Sequence, residues 1–211
     1  MQKRMIVTLP DHDGTTHYLS IWGKKSIDAA KDHGLSVTIL DKDKANRKTL
    51  ESYLSGTSFN IVLLLGHGNQ SSVTGHMNEP LIVAGQNEGK LKSTITYSIS
   101  CSSADKLGDA SIKAGALCYV GYTQDFVFII DEGMSTHPLD DKIAGLFLEH
   151  TSIFMNTVFK GNTVSEAYEK AKKSLWDNIT LAESSGSKGI LSWLVWDYYA
   201  FVAKGDTASR L

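Results

Sequence analysis

Five consecutive aliphatic residues, Ile61-Val62-Leu63-Leu64-Leu65, run directly into Gly66-His67-Gly68-Asn69. An extended run with no polar alternation has no face to give to water, so it is a strand buried on both sides. Such strands belong to parallel sheets covered by helices above and below. One βα unit later a second strand, Thr94-Ile-Thr-Tyr-Ser-Ile-Ser100, ends at Cys101. Neighbouring parallel strands would bring the imidazole and the thiol to one edge of the sheet.

The rest of the chain fits that frame. Arg4–Leu9 reads as a strand stopped by Pro10-Asp-His-Asp-Gly14. Thr16 to about His33 reads as a helix, with Leu19, Trp22, Ser26, Ala29 and Ala30 near one stripe and Gly34 closing it. A strand at Leu35–Leu40 and a helix at Lys44–Ser55 follow. Ser71–Val83 reads as an excursion or small hairpin, and Asn87–Leu91 as a short helical piece. Ser103–Ala114 is expected to be helical with Ser103 as N-cap, and Ala116–Gly121 to be the next strand. Tyr122–His137 looks like a long loop. Helices are expected at Pro138–Glu149, at Ser152–Phe159 and after the capping box Thr163-Val-Ser-Glu166, with Val164, Ala167, Ala171 and Leu175 on its buried side. Beyond a Gly/Ser loop at Ser184–Lys188, Leu191–Trp196 is apolar and aromatic, and Tyr199–Ala203 reads as the last strand. This order gives an α/β fold with a mainly parallel sheet and helices on both faces. No repeat or linker divides residues 1–211, so a single domain is expected.

Bulk properties narrow the function. A net charge of -2 and the lack of a basic stripe argue against nucleic acid. The longest apolar runs are far too short to span a bilayer, and the N-terminal one is too short for a signal peptide, so a cytoplasmic protein without membrane contact is expected. Two cysteines, Cys101 and Cys118, make no disulfide framework. The seven histidines show no metal-ligand spacing, so no metal and no cofactor is expected.

In open α/β sheets functional groups gather at the carboxyl ends of the strands, where His67 and Cys101 both lie. A thiol beside a base is the minimal machinery for acyl transfer. Gly66 and Gly68 allow a sharp bend around the imidazole, and the N–H groups of Gly68 and Cys101 are candidate oxyanion donors. A helix opening near Ser103 would favour a Cys101 thiolate. A dyad is expected, since no third residue stands out. Each feature has a plainer reading: a lone cysteine at a strand end is usually packing, and a histidine between glycines is as often structural. Cys118, inside an apolar strand, reads as core. His76 is the rival base. The third glycine of a dinucleotide fingerprint is replaced by Ser71, and no serine-hydrolase elbow or phosphate loop occurs.

A hydrophobic strand ending in His-Gly, followed by one ending in Cys, resembles the caspase-like (clan CD) cysteine peptidases, the group of caspases, legumain, clostripain, separase, gingipains and CHAT domains. The nearest resemblance is to the gingipain and CHAT branch. It rests on Leu65-Gly-His-Gly-Asn69, Lys113-Ala-Gly-Ala-Leu-Cys-Tyr-Val-Gly-Tyr122, Phe159-Lys-Gly-Asn-Thr-Val-Ser-Glu-Ala-Tyr168 and Tyr199-Ala-Phe-Val-Ala-Lys-Gly-Asp206. The resemblance implies a three-layer αβα sandwich with about six strands, His67 as base, Cys101 as nucleophile and the amides of Gly68 and Cys101 as oxyanion donors. It implies a protein or peptide substrate, with activation through calcium, self-cleavage, a regulatory partner or a dimer left open. The residue two before the nucleophile, which often helps form the specificity pocket in this group, is the apolar Ile99 here.

No arginine stands in the loops at the strand ends, which argues against an acidic substrate side chain. A pocket lined by Asp125 or Asp13 would attract Arg or Lys, with Tyr122 as an apolar wall beside Trp193 and Trp196. Solvated or helix-capping acids are the plainer reading. The expected activity is a cysteine endopeptidase cutting after a basic residue. The alternatives are a non-catalytic interaction domain of the same fold and a small-molecule hydrolase or amidotransferase.

Overall fold

A computed structural model describes residues 2–211, and its architecture follows from the strand pattern. The first strand, β1 (Arg4–Leu9), leads into α1 (Gly14–Asp32), β2 (Ser36–Asp41), α2 (Arg47–Gly56) and β3 (Ile61–Leu65). A small antiparallel sheet of β4 (Gly68–Asn69), β5 (Ser72–Thr74) and β6 (Pro80–Val83) follows. Then come β7 (Ile95–Ile99), α3 (Lys106–Lys113), β8 (Cys118–Tyr122), α4 (Lys142–Phe159), α5 (Val164–Ser184), α6 (Lys188–Ala200) and β9 (Phe201–Gly205). The main sheet has six strands in the order β2-β1-β3-β7-β8-β9. All pairs are parallel except β8 with β9.

The uninterrupted aliphatic run does what its pattern demands. Ile61, Leu63 and Leu65 join one core with Met5, Val7, Leu19, Trp22, Phe154 and Leu175, under α1, α4 and α5. Val62 and Leu64 join the opposite core with Ile6, Leu50, Leu81 and Leu107, under α2, α3 and the small sheet. Each fully buried Leu or Ile contributes on the order of 1.5–3 kcal/mol, so β3 is firmly held between the two cores.

Several boundaries differ from expectation. One continuous helix, α4, replaces the two expected between Pro138 and Phe159. It starts at Lys142 because Asp141, buried at its N-cap, accepts from the N–H groups of Ile143 and Ala144. The expected helix at Lys44–Ser55 is a 3-10 turn at Lys42–Lys44 followed by α2, capped by Asn46. The Leu191–Trp196 stretch lies inside α6, which pushes the last strand to Phe201–Gly205 and turns it antiparallel. Ser103 is not an N-cap. The segment after Cys101 is a run of turns, and α3 begins only at Lys106. The Ser103 hydroxyl instead joins a buried network with Ser98, Ser100 and Tyr119. Among the described residues no helix is long and apolar enough to cross a membrane.

Candidate active site

The β3–β7 register sets Leu65 opposite Ile99, so His67 and Cys101 each lie two residues beyond a paired position, on the same edge. The turn between them is tight. A Cβ on Gly68 would stand 2.9 Å from the Cys101 carbonyl oxygen and 2.9 Å from Ser100 Cβ. Gly66 sits at φ +151°, and a Cβ there would meet the Thr74 carbonyl oxygen at 2.1 Å. Only glycine fits at either place. The Thr74 N–H donates to the His67 carbonyl at 2.9 Å. Antiparallel ladders alternate bonded and non-bonded pairs, so Gly68, opposite Val73, falls at a non-bonded position with its N–H outside the hairpin ladder.

His67 has a partner that the sequence concealed. Its Nε2 lies 2.6 Å from Asp13 Oδ2. Asp13 is also the N-cap of α1, where its Oδ1 accepts from the Thr16 N–H at 2.7 Å and Thr16 returns a capping-box bond. Burial opposes ionisation of Asp13, but the Thr16 N–H, the His67 side chain and the Thr16 hydroxyl outweigh it and hold the carboxyl at about 2. An ionised carboxylate only accepts, so Nε2 of His67 carries a proton, and in the neutral ring Nδ1 carries the lone pair. Asp13 is thus turned to the imidazole. His76, the rival base, faces elsewhere: its Nδ1 accepts from the Asp11 N–H at 3.3 Å and its Nε2 lies 3.3 Å from Asp43.

Cys101 is half-buried, with Sγ 3.8 Å from the Phe126 carbonyl oxygen. Burial pushes its thiol up, and the carboxylates of Asp125 and Asp197 add to this. The expected help from a helix N-terminus is absent because α3 starts only at Lys106, five residues beyond Cys101. Ser102, next in the chain, holds φ +53°, a conformation uncommon outside glycine. Its hydroxyl donates to Asp125 Oδ1 at 2.8 Å, which fixes Asp125 beside Cys101. Cys118 is fully buried and its thiol is pushed up to about 12 by that burial.

The loop after β8 hangs on the last helix. Trp196 Nε1 donates to the Asp125 carbonyl at 2.8 Å, and the Val127 N–H donates to Asp197 Oδ1 at 3.1 Å. Tyr122 and Ile99 do not reach the surface. Tyr122 is completely buried, its hydroxyl hydrogen-bonded to His150 Nε2 at 2.6 Å, and Ile99 belongs to the main core. Both support the site from below, because inward-facing positions of a covered sheet are packed on by helices. Trp193 and Trp196 remain about two-fifths exposed, at 43% and 42%.

No family model matches the chain, and no curated protein matches it in sequence. Solved structures do. The Arg-specific cysteine proteinase gingipain R superposes with a TM-score of 0.64 at 10% identity, covering 100% of this chain and 47% of that one. The complex of the pro- and mature domains of RgpB from Porphyromonas gingivalis gives 0.58 at 8% identity, covering 98% and 47%. The separase–securin complex of Saccharomyces cerevisiae gives 0.52 at 16%, covering 97% and 12%. The chain therefore spans about half the length of gingipain R. What it shares with gingipain R and separase is the caspase-like αβα fold, a six-stranded, mainly parallel sheet between two layers of helices.

Proposed function

We propose that the protein is a cysteine endopeptidase with Cys101 as nucleophile, His67 as base and Asp13 as the residue that orients His67. The observation that carries this reading is the shared edge of β3 and β7, where the His67-Gly68 turn packs against Ser100 and Cys101. Because burial keeps the sulfur protonated, His67 Nδ1 takes the Cys101 proton as the sulfur attacks the peptide carbonyl. The N–H groups of Gly68 and Cys101 face the oxyanion. The tetrahedral adduct then breaks its C–N bond, His67 returns the proton to the leaving amine, and water hydrolyses the thioester by the reverse sequence. Asp13 holds the tautomer throughout and faces the charge that the ring acquires.

Cleavage after Arg or Lys is the preference that the surroundings favour. Asp125 is held beside Cys101 by Ser102, and a cationic side chain would find its carboxylate. Asp13, committed to His67, is not needed for this role. The similarity in fold to an Arg-specific proteinase agrees with the preference. A second reading, a non-catalytic domain, draws on the raised thiol of Cys101.

The test is labelling and turnover together. A peptidyl ketone ending in Arg should modify Cys101 and spare Cys118, and Cys101→Ala and His67→Ala should abolish hydrolysis. In a fluorogenic series with Arg, Lys, Asp or Leu before the leaving group, Arg and Lys substrates should dominate, and Asp125→Asn should lower their kcat/KM. Equal labelling of both cysteines with no turnover of any peptide would leave the non-catalytic reading standing.

A further inference from the structure

Spaced through the sequence, the histidines look unsuited to a metal, but the fold draws two of them together around Asp13. His12 Nε2 lies 3.6 Å from Asp13 Oδ2, His67 Nε2 lies 2.6 Å from the same oxygen, and the donor atoms of the three residues all fall within 4.8 Å of one another. Tetrahedral coordination with bonds of about 2.0–2.1 Å separates neighbouring donors by roughly 3.3 Å. The His12–Asp13 edge is already close to that spacing, and the His67–Asp13 hydrogen bond needs to open by less than about 1 Å.

His12 itself is an unexplained side chain. Only 7% of it is exposed, and its Nδ1 has no hydrogen-bond partner. Besides Asp13, its Nε2 meets only Asn78 Oδ1, at a long 3.3 Å. The ring is wedged edge-on between His67 and His76, with centroids at 6.0 and 5.3 Å. Burying an imidazole with so little compensation is costly if the ring serves packing alone. Coordination through Nε2, the nitrogen that faces Asp13, would give the buried ring one strong partner.

We propose that His12, Asp13 and His67 form a binding site for a zinc-class divalent cation, and that occupancy switches the base off. Two imidazole nitrogens and one carboxylate suit Zn2+ better than Ca2+ or Mg2+, which favour all-oxygen shells. Asp13 and His67 are both partly exposed, which leaves the remaining position to water. The switch is a tautomer change. The metal needs the lone pair of His67 Nε2, so the single proton of the neutral ring moves to Nδ1. Nδ1 then donates and can no longer accept the Cys101 proton. This inhibitory half rests on His67 being the catalytic base, whereas the binding half does not.

Binding is measured first, on Cys101→Ala, so that no thiolate contributes. Titration with Co2+ should give ligand-field absorption saturating at one ion per chain and displaced by Zn2+. His12→Ala and His12→Gln placed on that background should weaken binding at least tenfold while melting cooperatively. With Cys101 present, His12→Ala should keep the basal peptide turnover and need at least tenfold more Zn2+ for half inhibition. No Co2+ spectrum below millimolar metal, or affinity unchanged in both His12 variants, overturns the site. Binding through His12 with equal Zn2+ inhibition of wild type and His12→Ala overturns the switch. A chain that binds metal through His12 yet cleaves nothing supports the site and refutes the peptidase reading alone.

Discussion

Asp13 and His67, 54 residues apart in sequence, share a 2.6 Å hydrogen bond, and the same carboxylate caps α1. One side chain thereby couples the start of a helix to the position of the candidate base. The two duties can be separated by substitution. Asp13→Ala should cost about 1 kcal/mol through the lost cap and also lower kcat/KM by roughly tenfold or more, because the imidazole loses its fixed tautomer. Thr16→Ala removes the other half of the capping box without touching His67, and should lose similar stability with turnover nearly intact. Denaturant midpoints alongside kinetics read out both, and equal loss of turnover in the two variants would contradict the pairing.

Gly68 is predicted to be intolerant for a local reason. In Gly68→Ala the new methyl must displace the Cys101 carbonyl or Ser100, so the fold should survive with a loss of about 1–3 kcal/mol while turnover falls steeply. Gly66→Ala is a different case, because its Cβ collides with the backbone of Thr74 and its φ is unfavourable for any other residue. That variant should lose the small sheet, seen as early proteolysis between residues 68 and 83. A Gly68→Ala protein with normal kcat would remove the reason for placing an oxyanion donor there.

Two buried groups beneath the site set the dependence of stability on pH. Burial raises the Asp197 carboxyl from 3.8 to about 8 and lowers the His150 imidazole from 6.5 to about 3. Between pH 4 and 6.5 the folded chain holds the Asp197 proton that the unfolded chain has lost, so this group's contribution declines as pH rises. Over the same range the unfolded chain holds a His150 proton that the folded chain lacks, so that contribution grows as pH rises. The two slopes, each about 1.4 kcal/mol per pH unit, oppose one another. From about pH 6.5 to 8 only Asp197 acts, and stability should fall by on the order of 2 kcal/mol. Asp197→Asn should abolish that fall while still accepting from the Val127 N–H, as urea midpoints at the two pH values will report.

Sequence pattern revealed the scaffold better than the site's support. The aliphatic run of β3, the capping box at Thr163 and the glycine after α1 are local signals, and each element formed where they pointed. The positions of His67 and Cys101 on one sheet edge were legible because strand ends in a parallel sheet are fixed by the same pattern. Asp13 was not, since its pairing depends on how the loop after β1 folds over β3, and a lone acid before a helix signals a cap equally well. Ser103 misled for a related reason: a serine before an apolar stretch looks like a cap, but buried hydroxyls on β7 and β8 claimed it first. Tyr122 could not be told from a surface aromatic without knowing that α4 brings His150 to meet its hydroxyl.

The attachment of the Asp125 loop to α6 has a consequence for synthesis. Thr123, Asp125 and Val127 are held by Ala200, Trp196 and Asp197, some seventy residues downstream. A nascent chain emerging from the ribosome makes this loop long before it makes the helix that holds it. Until α6 has been translated and docked, the loop lacks the bonds that fix its backbone beside Cys101.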